Sequence, residues 1–163
     1  MRYPLVGLLR IRDFRVDKAA KAVRAAEAAQ KHAEAEKLAR EQSWHAFKAW
    51  RLEEVERRYQ SIMLQCMTRD EIDTFKAGLS RLVDEELEKE EAAHAAARAL
   101  AAAQEAVLTA RQHWRNADHE REKILYHREE WQKTAAKEEA RVEDLEQEEW
   151  KPVLFETAAE GEG

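Results

Sequence analysis

The 163-residue sequence predicts an all-α fold, an elongated antiparallel two-helix coiled-coil hairpin, and three observations carry that expectation. The chain has four Gly and two Pro, where average usage over this length would give about twenty. A single 3-4 apolar spacing runs through the second half. One helix-start signal stands near the middle of the chain, at Thr68.

The scarcity of turn formers is sharpened by their placement. Pro4, Pro152, Gly7, Gly161 and Gly163 lie near the ends, and only Gly78 interrupts the remainder. Sheet folds, dinucleotide-binding folds and glycine-rich phosphate loops all need clustered turns, so they are excluded. Charged residues make up 38%, and alanine is the commonest residue, which is the bias of long helices. Five Trp and an abundance of helix formers argue against disorder.

Helix one is expected over about residues 5–65. Leu9, Val16, Ala19, Val23, Ala26 and Ala33 hold one 3-4 register, and Leu52, Val55, Tyr59 and Ile62 hold another displaced by one residue. A slip in phase near Lys37–Leu38 would join them. The alanine stretch from Ala19 to Ala39 lets two helices approach closely while burying little area per layer.

The turn is expected at about 65–68. Thr68 followed three residues later by Glu71 is a capping box, with Asp70 and Glu71 in the first turn of the next helix. So short a connection makes the two helices antiparallel neighbours.

Helix two is expected over about 69–150. Steps of three and four from Ile72 to Glu149 visit 23 positions, of which 17 are apolar, and so sustained a seven-residue repeat is a coiled-coil seam. At 1.5 Å per residue the hairpin is about 90 Å long, with helix two outrunning helix one. Pro152 should end it, leaving a disordered acidic tail over about 152–163. The whole chain is read as a single coiled-coil hairpin.

No catalytic constellation emerges. The six histidines, His32, His45, His94, His113, His119 and His127, form no H-E-x-x-H motif or Cys/His cluster, so no metal or other cofactor is expected. Carboxylates are abundant, but acid/base catalysis needs a concave, partly dry site that two helices do not offer. Cys66 is the only cysteine, which excludes an intrachain disulfide and suits a reducing compartment. The N-terminal apolar run reaches charge by Arg10 and has no small-residue cleavage site, so neither a signal peptide nor direct membrane insertion is expected. Net charge is −6 with no sustained basic stripe, which disfavours nucleic acid.

Three surfaces remain as candidates for protein binding. Met1 to Ala25 carries seven basic residues against Asp13 and Asp17, while Glu138 to Gly163 carries ten acidic residues against Arg141 and Lys151. Those segments either steady one another at the open end or form a docking surface. Trp44, Phe47 and Trp50, with Leu79, Leu82, Val83 and Leu87 opposite on helix two, are either a thick core layer or a partner site. Trp131 and Trp150 have no intramolecular partner when the chain is mirrored about residue 67, which leaves an open binding face.

Several runs resemble a known family. Arg2-Tyr3-Pro4-Leu5, Leu9-Arg10-Ile11-Arg12 with Arg15, Asp17, Lys18 and Ala19, His127-Arg128-Glu129-Glu130-Trp131, and Lys137-Glu138-Glu139-Ala140-Arg141 are similar to the YscO family of type III secretion stalk proteins, the chlamydial type above all. FliJ is the flagellar relative. The resemblance implies a hairpin similar to the gamma stalk of rotary ATP synthases, cytoplasmic and peripheral to the secretion apparatus at the inner membrane. It implies that the chain hydrolyses no ATP and is a monomer in isolation. The implied partners are the hexameric export ATPase at the end holding both termini, the cytoplasmic domain of the export gate, and substrate chaperones. Under that resemblance Arg10, Arg12, Arg15, Glu130, Trp131 and Arg141 would engage the ATPase, and Trp44, Phe47 and Trp50, with Leu79 and Leu82 beneath them, would serve the gate or a chaperone. The alternative is a purely structural coiled coil with no ATPase partner, self-associating through the Trp131 to Trp150 overhang.

Overall fold

A computed structural model describes residues 3–159 of the chain, with side chains over 3–148. It contains two α-helices, α1 (Val6–Ile62) and α2 (Arg69–Ala159), and no strand among the described residues. The Leu9 N–H donates to the Leu5 carbonyl at 3.0 Å, so helical bonding starts directly after Pro4, a residue suited to a helix beginning.

α1 stops at Ile62, three residues before the expected end. Met63 N–H donates to Gln60 O at 3.4 Å and Gln65 N–H to Ile62 O at 3.1 Å, closing carbonyls the helix leaves open. Between them Leu64 takes φ = 66°, the left-handed conformation that glycine usually supplies after a helix. The chain thus makes the glycine-type stop without a glycine. α2 then begins on a reciprocal cap: Thr68 N–H donates to Glu71 Oε2 at 2.7 Å and Glu71 N–H donates to Thr68 Oγ1 at 3.3 Å.

The other end of α2 departs from expectation. Helical backbone runs past Pro152 to Ala159, so Pro152 lies within the helix rather than after it. Proline removes one backbone donor and does not by itself stop a helix. The rest of the expected tail, 160–163, lies outside the described residues.

The chain divides into two compact units, a turn unit of residues 21–112 and a terminal unit of residues 1–20 with 113–163. Within the turn unit the helices run antiparallel. Tyr59 meets Phe75 edge-on at 5.3 Å between ring centroids, Arg51 pairs with Glu86, Trp44 meets His94 at 5.9 Å, and Glu27 pairs with Arg111 at 2.7 Å. Its buried residues are Leu82, Ala93, Ala96 and Val107, all on the seam counted from Ile72. No described side chain falls below 2% exposure, as expected where only two helices share a core.

The expected slip near Lys37–Leu38 is absent. The register of Leu9 and Val16 continues through Trp44, Phe47, Arg51, Glu54 and Arg58, all half-buried, while of the displaced set Leu52 and Tyr59 are 58% and 49% exposed and only Val55 and Ile62 are half-buried. Polar residues hold the seam there because they are paired: Arg51 with Glu86 across the helices, and Glu54 with Arg57 at 2.8 Å and Arg58 at 2.7 Å. Long side chains bury their stems beneath such pairs. Gly78 is explained by the same stretch. A Cβ at that position would meet Arg58 Nη1 at 3.2 Å, so the missing side chain gives the guanidinium room.

In the terminal unit the helices also run antiparallel. Arg12 pairs with Glu120 at 3.4 Å, and Tyr3, just ahead of α1, packs on the 124–131 stretch of α2. Tyr3 and Val16 are its buried residues.

Candidate partner-binding surfaces

The terminal unit is organised around Tyr3, which is 7% exposed. Its hydroxyl lies 2.9 Å from His127 Nδ1 and donates at 3.4 Å toward the Ile124 carbonyl. Its ring meets the Trp131 ring edge-on, with centroids 5.5 Å apart. Trp131 therefore has an intramolecular partner, contrary to expectation. Reflection about residue 67 does set position 3 opposite position 131; the pairing was missed because α1 was counted from residue 5, whose mirror is 129, and Tyr3 precedes the helix. The side chain of Trp150 lies outside the described residues.

The six residues expected to form one surface are placed differently from one another. Arg12 is half-buried in the seam and held by Glu120, with its Nε enclosed and unbonded. Arg10 and Arg15 are exposed, and no carboxylate pairs with either among the described residues. Glu130 accepts from Lys133 Nζ at 2.8 Å, which holds the lysine above its ordinary pKa, and Arg141 pairs with Glu138 at 3.1 Å. Both of these pairs join neighbours on one helix and are exposed, where such pairs hold weakly.

Two apolar pairs are exposed, one of them, Ile11 and Phe14, not anticipated as a surface feature and the other part of the expected overhang. Ile11 and Phe14 are 52% and 68% exposed, on the face of α1 opposite Leu9 and Val16. Val142 and Leu145, at 48% and 49%, continue the α2 seam beyond the reach of Tyr3. The sequence did hold a signal for Ile11 and Phe14: they stand three apart and outside the seam register.

In the turn unit the aromatic group splits. Trp44 and Phe47 are half-buried in the seam, and Trp50 is outside it. His45 stacks on Trp44 at 4.9 Å, Lys48 lies 5.8 Å from the same ring, and the indole Nε1 is enclosed without a hydrogen-bond partner. Phe47 is covered by Lys89 Nζ at 5.2 Å and touches Trp50 at 5.3 Å. Opposite the aromatics on α2 thus stand Lys89 and His94. Leu79 and Leu82, expected beneath them, lie nearer the turn, past Glu86 where Arg51 is held. A cleft of about 400 Å³ near the turn is lined by Arg58, Thr74, Phe75, Ala77, Gly78 and Arg81. Among the described residues no group of His, Cys, Asp or Glu is arranged to hold a metal, and no helix is long and apolar enough to cross a membrane.

The two-helix architecture of the described residues agrees with what comparisons with known proteins show. A family model described as type III secretion protein YscO matches residues 5–152. The chain belongs to the YscO family. Among solved structures it is similar to a YscO homologue of Chlamydia trachomatis, with 29% identity over 98% of each chain and a TM-score of 0.76. It is also similar to the type III secretion protein YscO of Vibrio parahaemolyticus, with 27% identity, a TM-score of 0.82, and coverage of 87% of this chain and 89% of that one. A search of curated protein sequences finds no match. YscO membership ties the chain to type III secretion, and the all-helical fold of the YscO structures is the one seen here.

Proposed function

We propose that this YscO-family chain is a cytoplasmic stalk, not itself an enzyme, that engages a hexameric export ATPase through its terminal unit and the cytoplasmic domain of the export gate through its turn unit, and that escorts substrate chaperones. The observation that supports the reading is the pairing of a family match over 5–152 with a terminal unit in which Arg10 and Arg15 are exposed and pair with no carboxylate among the described residues. Cations free of internal partners are available to acidic groups on another protein. Arg12 and Trp131, already engaged by Glu120 and Tyr3, shape that surface, while Glu130 and Arg141 add contacts at its edge. In the turn unit Trp50, with Phe47 behind it, is the aromatic most available to the gate or a chaperone, and Trp44, Leu79 and Leu82 support the layer.

Adding the chain to its cognate secretion ATPase is expected to promote hexamer formation and raise turnover. An Arg10→Glu/Arg15→Glu variant should keep its helicity and lose most of that stimulation; full stimulation by the variant would remove the terminal unit from the interface. Trp50→Ala should weaken a gate pulldown with little change in thermal stability, and unchanged binding would return the aromatics to a packing role.

A further inference from the structure

The two exposed apolar pairs of the terminal unit sit in surroundings of opposite charge. Ile11 and Phe14 stand three apart on the outward face of α1, in line with Gly7, around whose Cβ position nothing lies within 4 Å. The stretch 10–18 carries Arg10, Arg12, Arg15 and Lys18 against Asp13 and Asp17. Val142 and Leu145 also stand three apart, and the stretch 138–148 carries Glu138, Glu139, Glu143, Asp144, Glu146 and Glu148 against Arg141 alone. This second pair belongs to the seam of α2, yet α1 has already ended there, because Tyr3 lies against Trp131.

We propose that a second copy of the chain covers both pairs, forming a two-fold dimer through the terminal units. Val142 and Leu145 of one copy lie on Ile11 and Phe14 of the other, and the two-fold axis repeats the contact in reverse. The spacing permits it. At about 1.5 Å per residue, Val142 to Leu145 lie roughly 17–21 Å beyond Trp131, and Ile11 to Phe14 lie roughly 12–17 Å beyond Tyr3. Two chains meeting α1 start to α1 start, with their Tyr3 levels about 5 Å apart by the same rise, therefore bring the pairs level. Each α1 is then flanked by its own α2 on the seam face and by the partner's α2 on the outward face. Such a contact is isologous and closes at two copies, unlike an open self-associating rod. Its apolar area is small and its charges lie at a rim, so the dimer is weak and salt-sensitive. One consequence rests on the stalk reading above: Arg10 and Arg15 serve both contacts, so dimer and ATPase compete for one surface.

Sedimentation velocity of the full-length chain without any ATPase tests the dimer separately from the stalk reading. At low salt the wild type should pass from monomer to dimer as concentration rises, and high salt should return it to monomer. Arg10→Glu/Arg15→Glu and Glu138→Lys/Glu146→Lys should each weaken self-association by roughly tenfold or more, about 1.4 kcal/mol. The decisive arm mixes the two variants in equal amounts, which restores one complementary contact and leaves the other native, so a heterodimer should reappear. Phe14→Ser should reduce dimerisation with no charge altered. A wild type that stays monomeric at low salt, a dimer that survives either reversal, or a mixture that stays monomeric would each overturn the proposal. Loss of ATPase stimulation with an intact dimer would count against the stalk reading alone.

Discussion

The turn unit and the terminal unit solve one problem, how two helices hold together with so little to bury, by different means. In the turn unit the connection over residues 63–68 joins the helices, so the entropy of bringing them together is small, and Leu82, Ala93, Ala96 and Val107 suffice as a core. Ion pairs between Glu27 and Arg111 and between Arg51 and Glu86 also cross between the helices. In the terminal unit the paired segments are more than a hundred residues apart in sequence, and the closing contact is one large aromatic, Tyr3, with a hydroxyl at His127 and a ring on Trp131. Many modest contacts hold where the chain already supplies proximity, and a single buried aromatic anchor is used where it does not.

The sharpest way to break that comparison is to remove the anchor. Tyr3→Ala deletes a nearly buried aromatic and its hydrogen bond, which should cost about 3 kcal/mol of local stability. Hydrogen exchange should report it as lost protection at the start of α1 and in the 120–131 stretch, with residues 70–100 unchanged. Loss spread evenly over the chain would mean that the two units do not differ in how they close.

Next in size is a test of the small-residue core. Ala93, 3% exposed, lies between Lys89 and His94, the α2 residues that meet Phe47 and Trp44, so a larger side chain there would press on that layer. Ala93→Leu should lower stability by about 2 kcal/mol through overpacking. The same substitution at Ala135, which is on the seam but beyond the contacts of Tyr3, should change stability by less than about 0.5 kcal/mol. Thermal unfolding of the two variants checks the contrast, and equal losses would show that α2 is as tightly covered at 135 as at 93.

These residues also mark how far the sequence could be read. The seam of α2 was legible because apolar side chains recur at fixed spacing, and from Phe75 to Ala135 every seam position except Trp114 and Arg128 is at least half-buried. The cap at Thr68 was legible because its two side chains bond each other locally. The register of α1 was misread because Leu52 and Tyr59 outrank Arg51 and Arg58 in hydrophobicity, and hydrophobicity takes no account of Glu86 and Glu54 waiting as partners. The clasp at Tyr3 was legible only as a position, since reflection about residue 67 sets 3 opposite 131, while its side-chain contacts and the end of α2 were not legible. A residue outside the helix follows no period, and Pro152 signals a stop that the helix does not obey. Of the candidate surface, Arg10 and Arg15 were identifiable as charges, but that Arg12 is committed to Glu120 is a matter of side-chain placement alone.

A smaller effect is expected at the turn itself. Leu64 is fully exposed and adopts φ = 66°, so its side chain contributes no packing while its backbone is strained. Leu64→Gly should raise stability by about 1 kcal/mol, since glycine takes this conformation without the Cβ penalty. A rise in the thermal midpoint with an unchanged far-ultraviolet spectrum would confirm that the turn is a left-handed helix stop, and a fall would show that leucine is needed there.

The smallest effect separates the units by pH. Glu71 is held below its ordinary carboxylate pKa of 4.5, first by the Thr68 backbone N–H and then by the Thr68 hydroxyl. Glu120 in the terminal unit is also lowered, first by its hydrogen bond from Lys123 on the same helix and only in lesser part by Arg12 on the other. A group depressed in the folded state contributes stability that is fully present above its unfolded pKa and is lost as pH falls through the folded value. Both carboxylates therefore stabilise the chain at neutral pH and release it in acid, starting near pH 4.5 and continuing below. Glu71→Gln keeps an acceptor for the cap but cannot be protonated, so it should flatten the acid loss of protection around residues 68–75. Glu120→Gln should leave that stretch untouched and flatten the loss around 116–124 only weakly, because Lys123 shares its helix and the pair does little to join α1 to α2. Hydrogen exchange across an acid titration distinguishes the two, and a stronger change at 116–124 than at 68–75 would mean that Arg12, rather than Tyr3, is what closes the terminal unit.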